Sequence, residues 1–134
     1  MSISFHVDFN GQCKEAFEFY AGELNGKIGI LLQFRDSPAS STVPESRGSD
    51  IVHASIEIEG VELTGADLDS EQYQKPRGFY VMLRVDSEER VKTIFDALKV
   101  GGDVIMSPQK TFFSPCYGIV TDRFGIPWKI NFVA

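Results

Sequence analysis

Cysteine is scarce in this sequence, and its scarcity excludes several classes of small protein. Cys13 and Cys116 are the only two cysteines, and they lie far apart. A disulfide-stapled fold needs several pairs, and a zinc or thiol–disulfide site needs closely spaced cysteines such as CxxC. A reducing compartment is the simplest setting for such a chain, so we expect a cytoplasmic protein.

Long apolar runs and an excess of basic charge are also absent. No stretch approaches the roughly 20 consecutive apolar residues that a membrane helix needs. The first residues, MSISFHVDFNG, lack the basic and apolar regions of a signal peptide. The formal net charge is −6, whereas nucleic acids and anionic membranes are themselves negative. We therefore predict no nucleic-acid partner and no membrane partner.

The composition is that of a globular domain, with 43% hydrophobic and 24% charged residues among 134. Residues 3–9 alternate apolar and polar side chains, which is typical of a half-buried strand. Residues 13–24 carry apolar side chains at helical spacing, and Asn25-Gly26 ends that helix. The pattern then predicts strands over 27–35, 51–59 and 61–67, the last two joined by a tight hairpin at Gly60.

The second half repeats this order after a polar linker over residues 68–77. A strand is predicted over 78–86, and Asp86 with Glu89 predicts a capping box at the start of the following helix. Three more strands follow, over 103–109, 116–122 and 127–133. We interpret the chain as one α+β domain, residues 1–134, made of two βαβββ modules over about 1–67 and 78–134.

Four segments carry a resemblance to a known superfamily. They are FNGQCKEAFEFYAGELNGKI (9–28), VHASIEIEGVELTGAD (52–67), GFYVMLRVDS (78–87) and GIVTDRFGIPWKINF (118–132). The chain resembles the vicinal oxygen chelate superfamily, which includes glyoxalase I, bleomycin-resistance proteins and extradiol dioxygenases, and within it the PhnB-like branch. The resemblance implies curled mixed sheets around a cavity, a small-molecule ligand in that cavity, and a homodimer.

The resemblance also implies that one face of each sheet packs under a helix and that the other lines the cavity. The predicted helix-facing residues are Phe5, Val7, Phe9, Phe79, Val81, Leu83, Val85, Trp128 and Ile130. The predicted cavity-facing residues are His6, Asp8, Tyr80, Met82, Arg84, Lys129 and Asn131. The polar residues of the middle strands form a third set whose direction a one-residue slip would reverse: His53, Ser55, Glu57, Glu62 and Thr64.

A divalent metal is bound by His, Gln or Glu side chains in metal-dependent members of the superfamily. At the matching positions this chain has His6, Glu62, Tyr80 and Lys129. A protonated lysine has no lone pair to donate, and its charge repels a dication. We therefore expect no preserved chelate and no cofactor, with a metal held by His6 and Glu62 as the alternative.

The candidate site residues follow from these assignments. His6 or His53 is the candidate base, and Lys129 would stabilise developing negative charge. The candidate ligand-binding residues are Tyr80, Arg84, Phe113, Trp128, Glu57 and Glu62. The alternatives are a wet sheet face for Lys129, a structural role for His53, and solvated surface positions for the two glutamates.

Three functions remain open at this point. The first is a protein that binds a small anionic or oxygen-rich molecule without a metal, because Arg84 and Lys129 would both face the ligand. The second is a metal-dependent lyase or dioxygenase of the glyoxalase kind with altered ligands, and the third is a non-catalytic dimeric interaction module. A methyltransferase is not expected, since no Gly-rich nucleotide-binding turn follows a strand.

Overall fold

The computed structural model describes residues 1–133 of the 134-residue chain. The chain divides into two compact units, the first over residues 1–74 and the second beginning at Lys75. Each unit contains one α-helix and one four-stranded sheet. Among residues 1–133, no helix combines the length and the apolar character that crossing a bilayer would require.

The first unit is built from four strands and one long helix. Its elements are β1 (Phe5–Phe9), α1 (Cys13–Glu23), β2 (Lys27–Gln33), β3 (Ile51–Ile58) and β4 (Val61–Asp67). The strand order is β1-β4-β3-β2, and β1 runs parallel to β4 while the other neighbours are antiparallel. Glu59 and Gly60 both have positive φ, 51° and 78°, as a two-residue type I′ turn requires. The predicted hairpin is therefore confirmed.

The second unit repeats the same plan. Its elements are β5 (Val81–Val85), α2 (Glu88–Lys99), β6 (Asp103–Gln109), β7 (Tyr117–Thr121) and β8 (Pro127–Phe132). The strand order β5-β8-β7-β6 matches that of the first sheet, again with one parallel pair, β5 with β8. The α+β fold with two βαβββ modules is confirmed. Each sheet is open, because its two outer strands pair with a neighbour on one side only, so a cavity enclosed by curled sheets stays a prediction.

The face of each sheet under its helix forms the core. In the first unit Val7 and Phe9 are buried, and the Phe9 ring meets Phe17 of α1 edge to face with centroids 5.8 Å apart. In the second unit Trp128 and Ile130 are fully buried on the side where α2 packs. Burying each such side chain stabilises the fold by about 1.5–3 kcal/mol.

Two of the predicted core positions lie at the rim instead. Phe5 and Phe79 are 45% and 46% exposed. Phe79 precedes β5, which begins only at Val81 because Gly78 before it has a positive φ of 70°. Phe5 is the first residue of β1, so neither ring lies beneath the middle of a helix.

Each helix begins on a hydrogen bond that the sequence pattern does not predict. The predicted capping box at Asp86 and Glu89 is wrong. Ser87 is the N-cap of α2, and its hydroxyl accepts a 3.0 Å hydrogen bond from the Arg90 backbone N–H. Helix α1 has no side-chain cap of its own. Its first backbone N–H, that of Cys13, donates instead to the buried carboxylate of Asp67 at the end of β4, at 2.9 Å.

Asp67 and Asp122 are the two buried carboxylates of the described chain, each 3% exposed. Asp67 also accepts a hydrogen bond from the backbone N–H of Ile51, at 2.8 Å, so it ties α1 to the start of β3. Asp122 accepts from the backbone N–H groups of Phe124 and Ile126 and, at 2.9 Å, from the indole N–H of Trp128. The DRFGIPW turn is thus closed around one carboxylate.

Replacing Asp122 by alanine should lower the free energy of unfolding by about 3 kcal/mol or more, because three buried donors lose a charged acceptor. Urea denaturation followed by fluorescence of Trp128, the single tryptophan, measures this loss. Asp96→Ala is the matched control, since Asp96 is exposed on α2 and should cost within about 0.5 kcal/mol. Equal effects of the two substitutions would contradict the anchoring role of Asp122.

Burial raises the pKa of Asp67 above its ordinary value of 3.8, and the N–H donors of Ile51 and Cys13 offset only part of that rise. A carboxyl with a raised folded-state pKa binds more protons when folded than when unfolded, so its contribution to stability falls as pH rises above 3.8. The unfolding free energy of the wild type minus that of Asp67→Asn should therefore decrease with rising pH and then level off.

Denaturation at a series of pH values measures this difference. The exposed Asp36→Asn variant is the matched control and is measured at the same pH values. A difference that grows with pH would mean that the pKa of Asp67 is lowered by folding.

Candidate functional site

The face of the first sheet opposite α1 carries a row of polar side chains. His6 of β1 lies opposite Thr64 of β4, and Thr64 lies opposite Ser55 of β3. The register has no slip between β3 and β4, so His53 and Glu57 share the face of Ser55. The structure therefore places these predicted polar residues together, on one sheet face of the first unit.

His6 is hydrogen-bonded through both nitrogens of its ring. Nδ1 lies 2.8 Å from the Thr64 hydroxyl, and Nε2 lies 2.9 Å from a carboxylate oxygen of Asp8. A carboxylate accepts and a neutral imidazole has one donor and one acceptor nitrogen, so in that form of the ring Nε2–H donates to Asp8 and Nδ1 accepts. Thr64 then donates to Nδ1, and the imidazole is held in one tautomer and one orientation.

Glu57 and Glu62 form a direct cross-strand pair beside this row, and both are exposed. Lys27 lies opposite Glu57 on its other side and places a positive charge next to the two negative ones. His53 is also exposed, and its ring makes no hydrogen bond within residues 1–133. These three candidates are solvated in the first unit, whereas His6 is held by two partners.

The corresponding face of the second sheet carries positive charge. Lys129 of β8 lies opposite Met82 of β5, and its ammonium nitrogen is 4.5 Å from the centroid of the Tyr80 ring. This is a cation–π contact, worth about 0.5–1 kcal/mol at an exposed site. Tyr80 and Met82 are 41% and 39% exposed, so the lysine lies between two partly open side chains.

A second row on this face joins Arg84 to an aromatic pair. Arg84 lies opposite Asn131, and Asn131 lies opposite Tyr117. The Phe113 ring stands edge to face on Tyr117, with centroids 4.8 Å apart, and remains 53% exposed. The Oδ1 atom of Asn131 is buried without a hydrogen-bond partner. The face thus combines two cations, an amide and an exposed aromatic ring.

Trp128 and the cysteines do not belong to these polar faces. Trp128 is fully buried on the α2 side, and its indole N–H is bonded to Asp122, so this candidate ligand contact is instead a core residue. Burial raises the pKa of the Cys13 thiol, and the Asp67 carboxylate raises it further. The pKa of Cys116 is raised as well, first by burial and then by Glu88. Neither thiol is poised as a nucleophile.

The donor set does not fit a divalent metal. Both ring nitrogens of His6 are engaged by Asp8 and Thr64, and Glu62 is paired across the strands with Glu57. In the second unit the matching positions hold a phenol and an ammonium, Tyr80 and Lys129, and the ammonium cannot ligate. Across residues 1–133 no group of three or more His, Cys, Asp and Glu side chains is spaced to hold an ion.

A separate cavity of about 530 Å³ lies in the loop after β2, within the first unit. Its lining residues are Arg35, Ser40, Val43, Pro44, Glu45 and Gly48. This loop contains three short 3₁₀ turns and is held by backbone hydrogen bonds from Phe34 to Asp50 and from Arg35 to Gly48. The cavity lies in the loop, apart from the strands that carry the predicted site residues.

Comparison with known proteins finds relatives along almost the whole chain. A family model described as 3-demethylubiquinone-9 3-methyltransferase matches residues 1–131. Protein YjdN of Escherichia coli (strain K12) is 30% identical over 141 residues, covering 99% of this chain and 96% of its own. The crystal structure of protein PA1353 from Pseudomonas aeruginosa is 34% identical with a TM-score of 0.87, covering 98% of this chain and 97% of that one.

Two further structures are similar in fold. A putative 3-demethylubiquinone-9 3-methyltransferase, the PhnB protein from Bacillus cereus, has a TM-score of 0.84 at 20% identity, covering 99% and 100% of the two chains. A glyoxalase/bleomycin resistance protein/dioxygenase family enzyme from Burkholderia phytofirmans has a TM-score of 0.67 at 13% identity, covering 98% and 97%. The predicted resemblance to this superfamily and to its PhnB-like branch is confirmed.

Divalent metals should leave the thermal stability of the protein unchanged, because neither unit by itself offers a complete set of ligands and the second unit has an ammonium group at one of the matching positions. The melting temperature of EDTA-treated protein is measured with and without Mn²⁺, Ni²⁺ or Zn²⁺. His6→Ala is measured in parallel as the control that removes the one imidazole of this donor set. A metal-induced rise that the His6→Ala variant loses would restore the metal-dependent alternative.

Proposed function

The chain belongs to the PhnB-like family whose model is described as 3-demethylubiquinone-9 3-methyltransferase, it has a glyoxalase-like fold, and from these premises we propose that it binds a small anionic, oxygen-rich molecule without a metal. The proposed contacts are Lys129, Arg84 and Tyr80 of the second unit, where Lys129 lies against the Tyr80 ring and Arg84 is two positions further along β5 than Met82, the residue opposite Lys129. The observation that carries the proposal is that neither Lys129 nor Arg84 forms an ion pair within residues 1–133.

Two cations on one face of an acidic protein have an electrostatic consequence. The chain as a whole carries −6, yet Lys129 and Arg84 lie on adjacent strands, two residues apart in register. Their mutual repulsion is relieved when an anion binds between them, and a guanidinium beside an ammonium suits a carboxylate or a phosphate. The site therefore favours ligands that carry a localised negative charge.

The uncharged side chains of this face determine which uncharged part of a ligand fits beside the two cations. Tyr80, Met82 and Phe113 are partly exposed and offer flat apolar contact with a hydroxyl group at one edge. The buried Oδ1 of Asn131 accepts no hydrogen bond. A ligand hydroxyl would supply the missing donor if the amide rotated toward it. A small aromatic or hydroxylated anion fits this combination better than a bare inorganic ion.

The methyl transfer named in the family description is not part of the proposal. A sulfonium methyl donor carries a positive charge at the reacting centre, and Lys129 and Arg84 would repel it. No Gly-rich turn follows a strand to bind the nucleotide part of such a donor. The homodimer and the cytoplasmic location stay predictions from the resemblance and the composition.

Salicylate is the probe that best tests the proposed site, because it joins a carboxylate and a hydroxyl to an aromatic ring. We expect it to bind the wild type in isothermal titration calorimetry, while salicyl alcohol, which lacks the carboxylate, binds at least about tenfold more weakly. Lys129→Met should weaken salicylate binding by about tenfold or more, since one charged contact is lost.

Lys99→Met is the matched control, because it removes the same charge from the exposed surface of α2. It should leave salicylate binding unchanged. Malonate and phosphate test whether the charge alone suffices, and S-adenosylmethionine tests the methyl donor. Equal binding of salicylate and salicyl alcohol, no effect of Lys129→Met, or tight binding of S-adenosylmethionine alone would overturn the proposal.

A further inference from the structure

The hydrogen-bonded chain Asp8–His6–Thr64 on the first sheet has the order of an orienting acid, a base and a hydroxyl nucleophile. We propose that these three residues form an acyl-transfer site in which Thr64 attacks the carbonyl of a small activated ester. His6 is the base, and Asp8 is a positioning residue that fixes the imidazole. The proposal concerns the first unit and does not rest on anion binding at Lys129.

The distances decide where the Thr64 hydrogen points. The Thr64 hydroxyl oxygen is 2.8 Å from Nδ1 of His6 and 3.4 Å from the backbone carbonyl oxygen of Phe5. Hydroxyl hydrogen bonds are usually about 2.5–3.0 Å long, so the hydrogen is directed at the imidazole. After the proton has moved, Nδ1–H becomes the donor and the threonine oxygen the acceptor, with no change in backbone geometry.

The reaction balances with water as the only co-reactant. The Thr64 oxygen forms a bond to the ester carbonyl carbon while its proton passes to Nδ1 of His6, and the carboxylate of Asp8 stabilises the resulting imidazolium. The bond from that carbon to the leaving oxygen breaks, and the leaving oxygen takes the proton from His6, so that the alcohol departs. Water then hydrolyses the acyl-threonine, with His6 again removing and returning one proton.

The site is open enough to meet a substrate. The side chains of His6 and Asp8 are 49% and 41% exposed, and Thr64 is half-buried in the middle of β4. Ser55, the next hydroxyl along the row, is used differently, because its oxygen accepts the backbone N–H of Ile30 at 3.1 Å. Because water screens the interaction between the exposed Asp8 and His6 side chains, we expect slow turnover, and only of reactive esters.

The test uses 4-nitrophenyl acetate with the full-length protein and follows release of nitrophenolate. Thr64→Val should lower the rate by at least about 100-fold, at the low end of general-base catalysis, while Thr64→Ser should retain most of it. His6→Gln should lose as much as Thr64→Val. Thr93→Val is the matched control, since its hydroxyl bonds only the Glu89 carbonyl within α2, and it should react like the wild type.

Mass spectrometry of the acylated protein identifies the residue that reacts, and an acetyl group is expected on Thr64. Asp8 has a spectroscopic readout of its own, since nitrogen–proton correlation spectra of ¹⁵N-labelled protein report the tautomer of each of the two histidines. His6 should be an Nε2–H tautomer in the wild type and a mixture in Asp8→Asn, with His53 unchanged as the internal reference.

The outcomes separate the proposal from simple surface reactivity. Acetylation of a histidine or lysine in place of Thr64, hydrolysis that persists in Thr64→Val, or an unchanged His6 tautomer in Asp8→Asn would each overturn it. Circular dichroism of every variant shows whether it is folded, and rescue by Thr64→Ser distinguishes loss of the hydroxyl from loss of the structure.

Discussion

Within residues 1–133 each sheet is covered by a helix on one face only, and the candidate site residues that lie on strands depend on that constraint. Side chains alternate along a strand, so burying Trp128 and Ile130 under α2 turns Lys129 and Asn131 to the opposite face. The same rule in the first sheet buries Val7 and leaves His6 and Asp8 outside. A one-residue slip in register would move the charged groups into the core, where unpaired charges are costly.

This constraint explains why the sequence alone predicts, for many strand residues, whether the side chain faces the helix or points away from it. The alternation in β1, β5 and β8 predicts which residues turn away from the helices, because a half-buried strand shows its orientation in its own sequence. The failures lie at strand ends and turns. Phe79 falls outside β5 because Gly78 bends the chain just before it, and a neighbouring residue, Ser87, takes the cap position predicted for Asp86.

The anchoring role of Asp67 could not be predicted because its partners come from distant parts of the chain. Asp67 bonds the backbone of Cys13, 54 residues away, and no local pattern marks it as different from a surface aspartate at a strand end. Cys13 shows a related effect: the start of a helix tends to lower a thiol pKa, whereas burial, and then the Asp67 carboxylate, raise the pKa of this thiol. For a completely buried thiol, desolvation has a larger effect on the pKa than the position at the start of a helix.

The environment of His6 is where the structure changes the chemical interpretation most. A metal-binding imidazole needs one nitrogen free for the ion, and other oxygen or nitrogen donors around it. Here the residue across the strand is a threonine, whose hydroxyl is a neutral group that donates to the imidazole, and the second nitrogen is occupied by Asp8. These partners engage both ring nitrogens, and in the proposed acyl-transfer site they would place a proton between a base and a hydroxyl. The first sheet therefore keeps the strand order of a glyoxalase-like fold, while the contacts of His6 are those on which the proposed acyl-transfer site rests.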